Sequence, residues 1–536
     1  MASALPVDTW RSAFHRAIAS AWARFGGDSR AGTWYWPHVV SALPVRPVVL
    51  RVVTANILTI LALLAGSLVL DAFVRPRAAA GMLRSRAGMA LHCLIVLAVF
   101  GLFLAISGDV AAAALIAVAG VGLFTTVSNA KRAVLGEPLV FTDLALVGAV
   151  FRHPQFYLSA LKPGQKAVLV LAAPVIPALL WWVFAPSLVA HLTGLGLLLS
   201  GSWLIRYAVR LPPWSRLGCE PDVGADVERH GLLATLVLHH GRWRETRDPA
   251  PCAPLQARPR LGELAVVIQC ESFADPVEIF GDAALGLPGL DAARAQAWQW
   301  GNLQVSGFGA YTMRTEYGVL FGRSEEALGF RRFDPFLTAL GEVSFALPSR
   351  LAAAGWRSLF LHPHDMRFYN REEIMQAAGF AELVGEDRFS PPAPDEGRYV
   401  TDAAMTAEIV SLAQKAVDAT LIYAVTIENH GPWEARAGAG SLTDGYMRLV
   451  RNSDAMLAAL CDELAKLKRR ATLVFFGDHR PSIPGVSMPG KARHTPYVIL
   501  RFDAEGRILR GEGRRVDLAP AQLHHAVLDA LTDPEA

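Results

Sequence analysis

The first part of the chain carries long apolar runs. Three of them, Val52–Leu70, Ala87–Gly108 and Val110–Ala130, contain no Asp, Glu, Lys or Arg over 19 to 22 residues. A helix needs roughly 20 apolar residues to cross the hydrocarbon core of a bilayer. A further run, Ala167–Ile205, is uncharged for 39 residues and has a natural hairpin at Ala185–Ser187. The pattern therefore predicts five transmembrane helices, the last two from this long run.

From residue 262 onward, short β-rich runs alternate with stretches of helical periodicity. Two of those stretches, Asp402–Val417 and Asn452–Leu467, repeat apolar residues at helical spacing. This alternation predicts an α/β domain with a largely parallel sheet covered by helices. The predicted strands are Ala265–Cys270, Gln299–Val305, Ser358–His362, Leu421–Ile427, Leu473–Phe476 and Tyr497–Phe502.

The two patterns divide the chain into four parts. We predict an N-terminal segment (1–51) in the cytoplasm and a five-helix membrane domain (52–210). A juxtamembrane linker (211–261) and a catalytic domain outside the membrane (262–536) follow.

The near-neutral net charge of +3 conceals an uneven distribution. Residues 1–210 hold 17 basic and 6 acidic residues, whereas residues 211–536 hold 34 basic and 42 acidic ones. The arginines before the first span favour a cytoplasmic N-terminus, but those in the first loop would then face outward, against the positive-inside rule. Charge alone therefore leaves the orientation open. The partner that this part of the chain predicts is a membrane, and we expect no nucleic-acid partner.

Two smaller features stay open. The loop from Lys131 to Lys166 contains Leu135–Leu139 and an apolar run too short to span, which predicts either an interfacial segment or an ordinary amphipathic connecting helix. Among the five cysteines, Cys219 and Cys252 flank the domain junction and are either a disulfide pair or two free thiols.

Polar side chains follow four of the predicted strands or strand-like runs, where each ends. Ligands of open α/β sheets bind beyond the carboxyl ends of the strands, so these side chains are expected to share one site. They are Glu271 with Ser272, Thr312, Glu428 with Asn429 and His430, and Asp478 with His479.

A subset of these side chains has the chemistry of a metal centre. Two carboxylates (Glu271, Asp478), an imidazole (His479) and a hydroxyl (Thr312) suit a divalent cation of borderline hardness. Such a cation would lower the pKa of the threonine hydroxyl and create a nucleophile near neutral pH, which predicts a covalent intermediate. Thr315 is a competing nucleophile on the same segment.

The same residues carry a family resemblance, which extends over nearly the whole chain. The chain resembles the lipoteichoic acid synthases, membrane phosphoglycerol transferases of the alkaline phosphatase/sulfatase superfamily. The matching motifs are Glu271-Ser272-Phe273, Thr312-x-x-x-Glu316-Tyr317, Phe368-Tyr369-Asn370-Arg371, Glu428-Asn429-His430, Gly477-Asp478-His479 and His494-Thr495-Pro496, together with the spans and Leu135–Pro138.

The resemblance implies a metal, a donor and a location. The implied ligands of one divalent metal, manganese with magnesium or zinc as alternatives, are Glu271, Thr312, Asp478 and His479. Thr312 would take glycerol phosphate from phosphatidylglycerol, release diacylglycerol and pass the group to an acceptor hydroxyl of a glycan, such as a periplasmic glucan, or of a glycerol-phosphate polymer. The implied location is the bacterial inner membrane, with the catalytic domain on the periplasmic side.

The resemblance also implies a substrate pocket. Its residues map to His362, Tyr369, Arg371 and His430, with His494 beside them. Arg371 can grip a phosphate with paired donors, and His430 can stabilise or protonate a leaving oxygen. Tyr369 stands where the family often has tryptophan.

Three alternatives remain beside this interpretation. A sulfatase needs a formylglycine made from Cys or Ser in a C-x-P-x-R-type motif, and none of the five cysteines lies in one. A phosphoethanolamine transferase also uses a threonine and five spans, but such enzymes tend to have more cysteines in the soluble domain. A catalytically silent membrane receptor or scaffold would be expected to lack one of the metal ligands.

Overall fold

A computed structural model describes most of the chain. The described residues are 45–79, 83–144, 178, 181–255, 263–393, 397–433, 440–511 and 513–532. The predicted N-terminal segment therefore lies outside the described residues except for its last few positions.

Within these ranges, four helices are long and apolar enough to cross a membrane. They are α1 (Val45–Ala72), α2 (Arg86–Ser107), α3 (Val110–Leu135) and α4 (Leu188–Ala208). The side chains of Ser85, Asp109 and Ser187 accept hydrogen bonds from the first turns of α2, α3 and α4 and so define where these helices begin. The other predicted span of Ala167–Ile205, and the later part of the Lys131–Lys166 loop, fall largely outside the described residues.

The predicted linker contains two helices, α5 (Val223–His230) and α6 (Leu232–Glu245). Buried charges join them to the membrane helices. The Arg84 guanidinium donates to the Val227 carbonyl at 2.6 Å, and the Asp71 carboxylate accepts from the Leu232 amide at 3.0 Å. The Leu232 amide opens α6 and has no acceptor within that helix, so Asp71 caps it, whereas the Val227 carbonyl accepts from both Arg84 and the Gly231 amide at the end of α5. The two charges thus link α5 and α6 to α1 and to the loop that follows it.

The part of the chain after the linker is built on one eight-stranded sheet, whose strands, numbered along the chain, lie in the order β4-β3-β5-β1-β6-β7-β2-β8. Strands β4, β3, β5, β1 and β6 pair in parallel, and β7 pairs antiparallel with both β6 and β2. Two antiparallel steps leave β2 running in the direction of β1. The strands are β1 (Leu264–Cys270), β2 (Gln299–Leu303), β3 (Arg357–Leu361), β4 (Glu382–Val384), β5 (Thr420–Val425), β6 (Ala471–Gly477), β7 (Thr495–Phe502) and β8 (Arg514–Arg515).

Helices cover both faces of this sheet. One apolar core lies between the sheet and the helices Thr312–Phe321 and Pro520–Thr532, and the other lies between the sheet and the helices Pro288–Gln296, Asp402–Lys415 and Leu442–Lys466. The helices are α7 (Pro276–Phe280), α8 (Pro288–Gln296), α9 (Thr312–Phe321), α10 (Glu325–Leu328), α11 (Leu347–Ala352), α12 (Arg371–Ala377), α13 (Asp402–Lys415), α14 (Leu442–Lys466) and α15 (Pro520–Thr532). Short 3-10 helices lie at Trp214–Arg216, Ala283–Leu285, Gly329–Phe333, Pro335–Phe345, Phe368–Asn370 and Glu386–Arg388.

The predicted fold class is confirmed, and each predicted strand lies within a residue or two of an observed one. The strands that the pattern did not predict are β4 and β8, which are three and two residues long and lie at the two edges of the sheet. Such short strands carry too few alternating positions to give a signal. The helix predicted at Asn452–Leu467 begins earlier, at Leu442, where Ser441 and Asp444 form a capping box.

Candidate active site

The sheet topology gathers the predicted site residues at one edge. Glu271 follows β1, Asp478 and His479 follow β6, and His362 follows β3 directly in the chain. Thr312 comes after β2, which runs the same way as β1. Parallel strands end on the same side of a sheet, so residues far apart in sequence meet there.

Three of these residues form a possible metal-binding triad. Ligand atoms of Glu271, Asp478 and His479 all lie within 4.8 Å of one another, and all three residues are buried. His479 Nε2 is 3.5 Å from Glu271 Oε1 and 3.6 Å from Asp478 Oδ2. These spacings allow one cation to contact all three side chains.

The hydrogen bonds around the triad leave ligand atoms available. Asp478 Oδ1 accepts from the Ser272 and His479 amides at 2.8 Å each, whereas buried Asp478 Oδ2 has no hydrogen-bond partner among the described residues. His479 Nδ1 lies 3.2 Å from the Arg480 carbonyl, which can only accept, so the neutral imidazole carries its proton on Nδ1 and turns the Nε2 lone pair toward the carboxylates. An unpartnered buried carboxylate oxygen beside a free imidazole lone pair fits a bound divalent cation.

The electrostatics of the triad agree with this fit. Burial, together with the neighbouring charge of Glu271, raises the pKa of Asp478 to about 6. Burial alone would lower the pKa of His479, but the Asp478 and Glu271 carboxylates raise it above its ordinary value. Two buried carboxylates destabilise each other unless a positive charge lies between them.

Thr312 is the first residue of α9, and its hydroxyl lies beside the triad. Its Oγ1 is 3.5 Å from Glu271 Oε2, and the preceding residue, Tyr311, has a left-handed backbone with φ of 76°. The competing Thr315 is buried, and its hydroxyl donates to the Asp478 carbonyl at 2.7 Å. The structure therefore leaves Thr312 near the triad with a hydroxyl less firmly engaged than that of Thr315.

A second group of predicted residues lies around Arg371, at the start of α12. The Arg371 guanidinium makes a two-pronged ion pair with Glu316, at 2.7 and 3.1 Å, and Nη1 lies 3.3 Å from His362 Nε2. Burial and the Arg371 charge hold the pKa of His362 well below its ordinary value. His362 is therefore neutral, donates from Nδ1 to the Val425 carbonyl at 3.1 Å, and accepts from Arg371.

We expect Arg371→Ala to lower the free energy of unfolding by about 3 to 5 kcal/mol, because it leaves the Glu316 carboxylate buried without a counter-charge. Glu316 has no exposed surface, and the Arg371 side chain is 3 % exposed. Chemical denaturation monitored by tryptophan fluorescence measures this change. The matched variant Arg357→Ala removes an exposed pair with Glu382 and should change the stability by less than about 1 kcal/mol. An equal decrease in the free energy of unfolding in the two variants would contradict the claim that burial makes the Arg371–Glu316 pair more stabilising than the exposed Arg357–Glu382 pair.

The remaining predicted residues are placed differently. Tyr369 has φ of 59° and lies under the Arg371 guanidinium, 5.1 Å from ring centroid to Cζ. His430 is exposed, donates from Nδ1 to the Gly431 carbonyl at 2.8 Å, and packs edge-on to Tyr399. His494 Nε2 lies 2.6 Å from a Glu278 oxygen and 2.8 Å from an Arg480 nitrogen. These three remain predicted substrate contacts.

The sequence pattern did not distinguish site residues from structural ones at every strand end. Glu428 is buried, and its two oxygens accept from the Asp402 amide and the Asn452 side chain at 2.7 and 2.8 Å, so it caps α13. Glu316 lies in the predicted Thr312 motif without a role of its own there, yet in the structure it is the counter-ion of Arg371. Its spacing, four residues after Thr312 and hence one turn along α9, was the available signal.

Comparison with known proteins places this fold in a family. The sulfatase family model matches residues 263–528. The capsular polysaccharide biosynthesis protein RkpI of Rhizobium meliloti is 32% identical over 411 residues, which is 70% of this chain and 75% of RkpI. A second protein of that organism, inferred to modify cyclic beta-1,2-glucan, is 27% identical over 47% of this chain and 41% of its own length.

A solved structure extends the likeness to the membrane part. The lipooligosaccharide phosphoethanolamine transferase EptA of Neisseria meningitidis is 13% identical, with a TM-score of 0.51 over 89% of this chain and 94% of EptA. At this identity the match concerns the fold. The family model and the membrane-length helices together indicate a sulfatase-family domain in a chain with helices long enough to cross a membrane. The chain therefore belongs to the sulfatase family.

Proposed function

We propose that this chain is a phosphoglycerol transferase of the bacterial inner membrane, with its catalytic domain on the periplasmic side. It moves glycerol phosphate from phosphatidylglycerol, through Thr312, to a hydroxyl of a cell-envelope glycan. The observation that carries the proposal is the position of the Thr312 hydroxyl beside the buried triad of Glu271, Asp478 and His479. A hydroxyl at the start of a helix, next to a cation site, is placed to attack a phosphate.

The metal has a limited and defined part in this proposal. The residues that would hold it are Glu271, Asp478 and His479, with the Thr312 hydroxyl, and the proposed ion is manganese, with magnesium or zinc as alternatives. When bound, a divalent cation would lower the pKa of that hydroxyl and offset the negative charge of the transferred phosphate. The side chains themselves align the threonine, and the α9 N-terminus favours an anion.

The transfer takes two balanced steps. In the first, Thr312 Oγ1 loses its proton to solvent and bonds to the phosphorus of phosphatidylglycerol, the phosphorus–oxygen bond to diacylglycerol breaks, and the diacylglycerol oxygen takes up one proton in return. In the second, the acceptor oxygen bonds to the same phosphorus, Thr312 leaves, and the acceptor proton returns to Thr312. His430, exposed on the loop after β5, is proposed to protonate the leaving diacylglycerol oxygen.

The group around Arg371 is proposed to bind the glycerol phosphate. Arg371, His362 and Tyr369 form one contiguous cluster, in which the Tyr369 hydroxyl is proposed to bond to a glycerol hydroxyl and His362, held by Val425 and Arg371, is proposed to line the pocket. The Arg371 guanidinium, whose other nitrogens pair with Glu316, is proposed to donate to the phosphate from Nη1. His494, immediately before β7, is proposed as a further substrate contact.

The acceptor is proposed from the relatives. One is named for capsular polysaccharide biosynthesis, and the other is inferred to modify a cyclic glucan. Both descriptions concern carbohydrates, which supports a glycan hydroxyl, such as that of a periplasmic glucan, as the acceptor of this chain.

The test uses purified full-length protein in liposomes with phosphatidylglycerol labelled in the glycerol head group. We expect manganese-dependent release of diacylglycerol, and a labelled glycerol phosphate group on the peptide that contains Thr312 when no acceptor is added. Adding cyclic glucan or a capsular oligosaccharide should discharge this peptide and label the glycan. Mass spectrometry and thin-layer chromatography measure these products.

Matched liposomes containing labelled phosphatidylethanolamine separate the proposal from its main rival. Release of diacylglycerol from this lipid, with none from phosphatidylglycerol, would identify a phosphoethanolamine transferase. Release from neither lipid, in protein that binds manganese, would contradict both assignments of the donor.

A further inference from the structure

We propose that the loop after α3 positions the catalytic threonine, with Glu137 as its positioning residue. The loop (136–143) follows a membrane-length helix, and its contacts reach the residues on both sides of Thr312. The inference rests on the proposed function, because it assigns the membrane domain a part in aligning the nucleophile of that reaction.

The main contact is a buried ion pair between Glu137 and Arg314. Arg314 lies on the first turn of α9, two residues after Thr312, and its two terminal nitrogens donate to the two Glu137 oxygens at 2.8 and 3.2 Å. The side chains are 6 % and 11 % exposed. A two-pronged arginine–carboxylate pair restrains both position and orientation, and away from solvent it is only weakly screened.

Tyr311, the residue before Thr312, is also contacted by side chains from α3 and by Arg314. The Arg314 guanidinium lies over the Tyr311 ring at 3.9 Å from its centroid, and the Lys131 ammonium, at the end of α3, lies 5.5 Å from it. Lys131 in turn pairs with Asp143, whose carboxylate also accepts from the Val140 amide at 2.8 Å. Tyr311 is a tyrosine in the left-handed region, a conformation that surrounding contacts must maintain.

Other contacts hold the loop itself against the catalytic domain. Ser482 donates to the Val134 carbonyl at 2.9 Å. Gly136 has φ of 77°, and a Cβ there would lie 2.7 Å from the Pro489 side chain, so the backbone is closely packed. Phe141 packs edge-on to Phe333 in the catalytic domain at 6.0 Å between ring centroids. The loop is thus held against the catalytic domain at both ends, so the backbone that carries Glu137 has little freedom to move.

The consequence is that Thr312 depends on a residue 175 positions earlier in the chain. Its hydroxyl must point at the phosphorus in line with the leaving oxygen, and small displacements reduce the rate steeply. Glu137 touches neither the triad nor Thr312, so its effect is expected in the chemical step and in the order of the α9 start, not in metal binding.

The test compares wild-type protein with Glu137→Gln, Arg314→Gln and the double variant, all full length. We expect each to lower the kcat of diacylglycerol release by about tenfold to a hundredfold, with KM changed by less than about threefold. The double variant should lose no more than either single one, since all three break the same pair. Hydrogen–deuterium exchange should quicken in the peptide covering residues 306–316 and stay unchanged in β1 and β6.

The matched control is Asp454→Asn. Asp454, in the middle of α14, is also a buried carboxylate that caps a helix, because it accepts from the Gly289 and Leu290 amides at the start of α8. It lies on the other face of the sheet from α9. This variant should lower the melting temperature and leave both kcat and the exchange of residues 306–316 unchanged. Wild-type exchange rates over 306–316 in Glu137→Gln would overturn the inference. That readout needs no substrate, so it decides the positioning role even if phosphatidylglycerol proves to be the wrong donor.

Discussion

Replacing Thr312 with alanine is expected to lower the kcat of diacylglycerol release by at least about 10³-fold, because the variant has no oxygen to form the covalent intermediate. The side chain is partly buried and its hydroxyl contacts the carboxylates of the triad, with a long 3.5 Å distance to Glu271, so its removal should leave the fold intact. The rate is measured as diacylglycerol released from phosphatidylglycerol liposomes at fixed times after the reaction is stopped. The melting temperature in the presence of manganese shows whether the variant is folded.

Thr312→Ser is the matched variant for this prediction. It keeps the hydroxyl and should keep a substantial part of the rate, together with a labelled peptide on residue 312. Retention of more than about a tenth of the wild-type rate in Thr312→Ala would exclude this nucleophile. Thr315 would then be the next candidate, although its hydroxyl is engaged by the Asp478 carbonyl.

Asp478→Asn is expected to abolish transfer by a similar factor of about 10³, while leaving the metal-free protein as stable as the wild type or more so. Asparagine keeps an oxygen for the Ser272 and His479 amides, and it removes one of two buried charges that repel each other. Wild-type protein should gain melting temperature when manganese is added, since a ligand that binds only the folded state stabilises it. The variant should show no such gain.

Glu428→Gln provides the contrast for that experiment. Glu428 is a buried carboxylate at the same sheet edge, but it accepts from the Asp402 amide and the Asn452 side chain. Its variant should lose stability in the absence of metal and still gain melting temperature with manganese. A manganese-dependent gain in Asp478→Asn equal to that of the wild type would refute the metal-site assignment.

The site residues could be predicted from the sequence where an ionisable side chain directly follows a predicted strand. Glu271, Asp478 and His479 each follow a run of buried residues, and a parallel sheet brings such ends to one edge. Glu428 follows the same kind of run and serves as a helix cap. A strand end tells which side of the sheet a carboxylate is on, and its hydrogen-bond partners decide whether it remains free for a ligand.

The ion pairs of the site were beyond prediction from local pattern. Arg371 and Glu316 are 55 residues apart, and Glu137 and Arg314 are 177 apart. Nothing in the periodicity of either segment indicates its partner, because the pairing follows from how α9 packs against α12 and against the loop after α3.

The sequence by itself determined the elements of this protein: spans of membrane length, an α/β domain, and the polar residues that end its central strands. These follow from local properties, namely apolar length, residue periodicity and turn chemistry. Tertiary structure alone decided which carboxylates stay unpartnered, which arginine neutralises which glutamate, and how a loop next to the membrane helices reaches the threonine. Those outcomes depend on distances between segments far apart in the chain, which only the packed sheet and helices define.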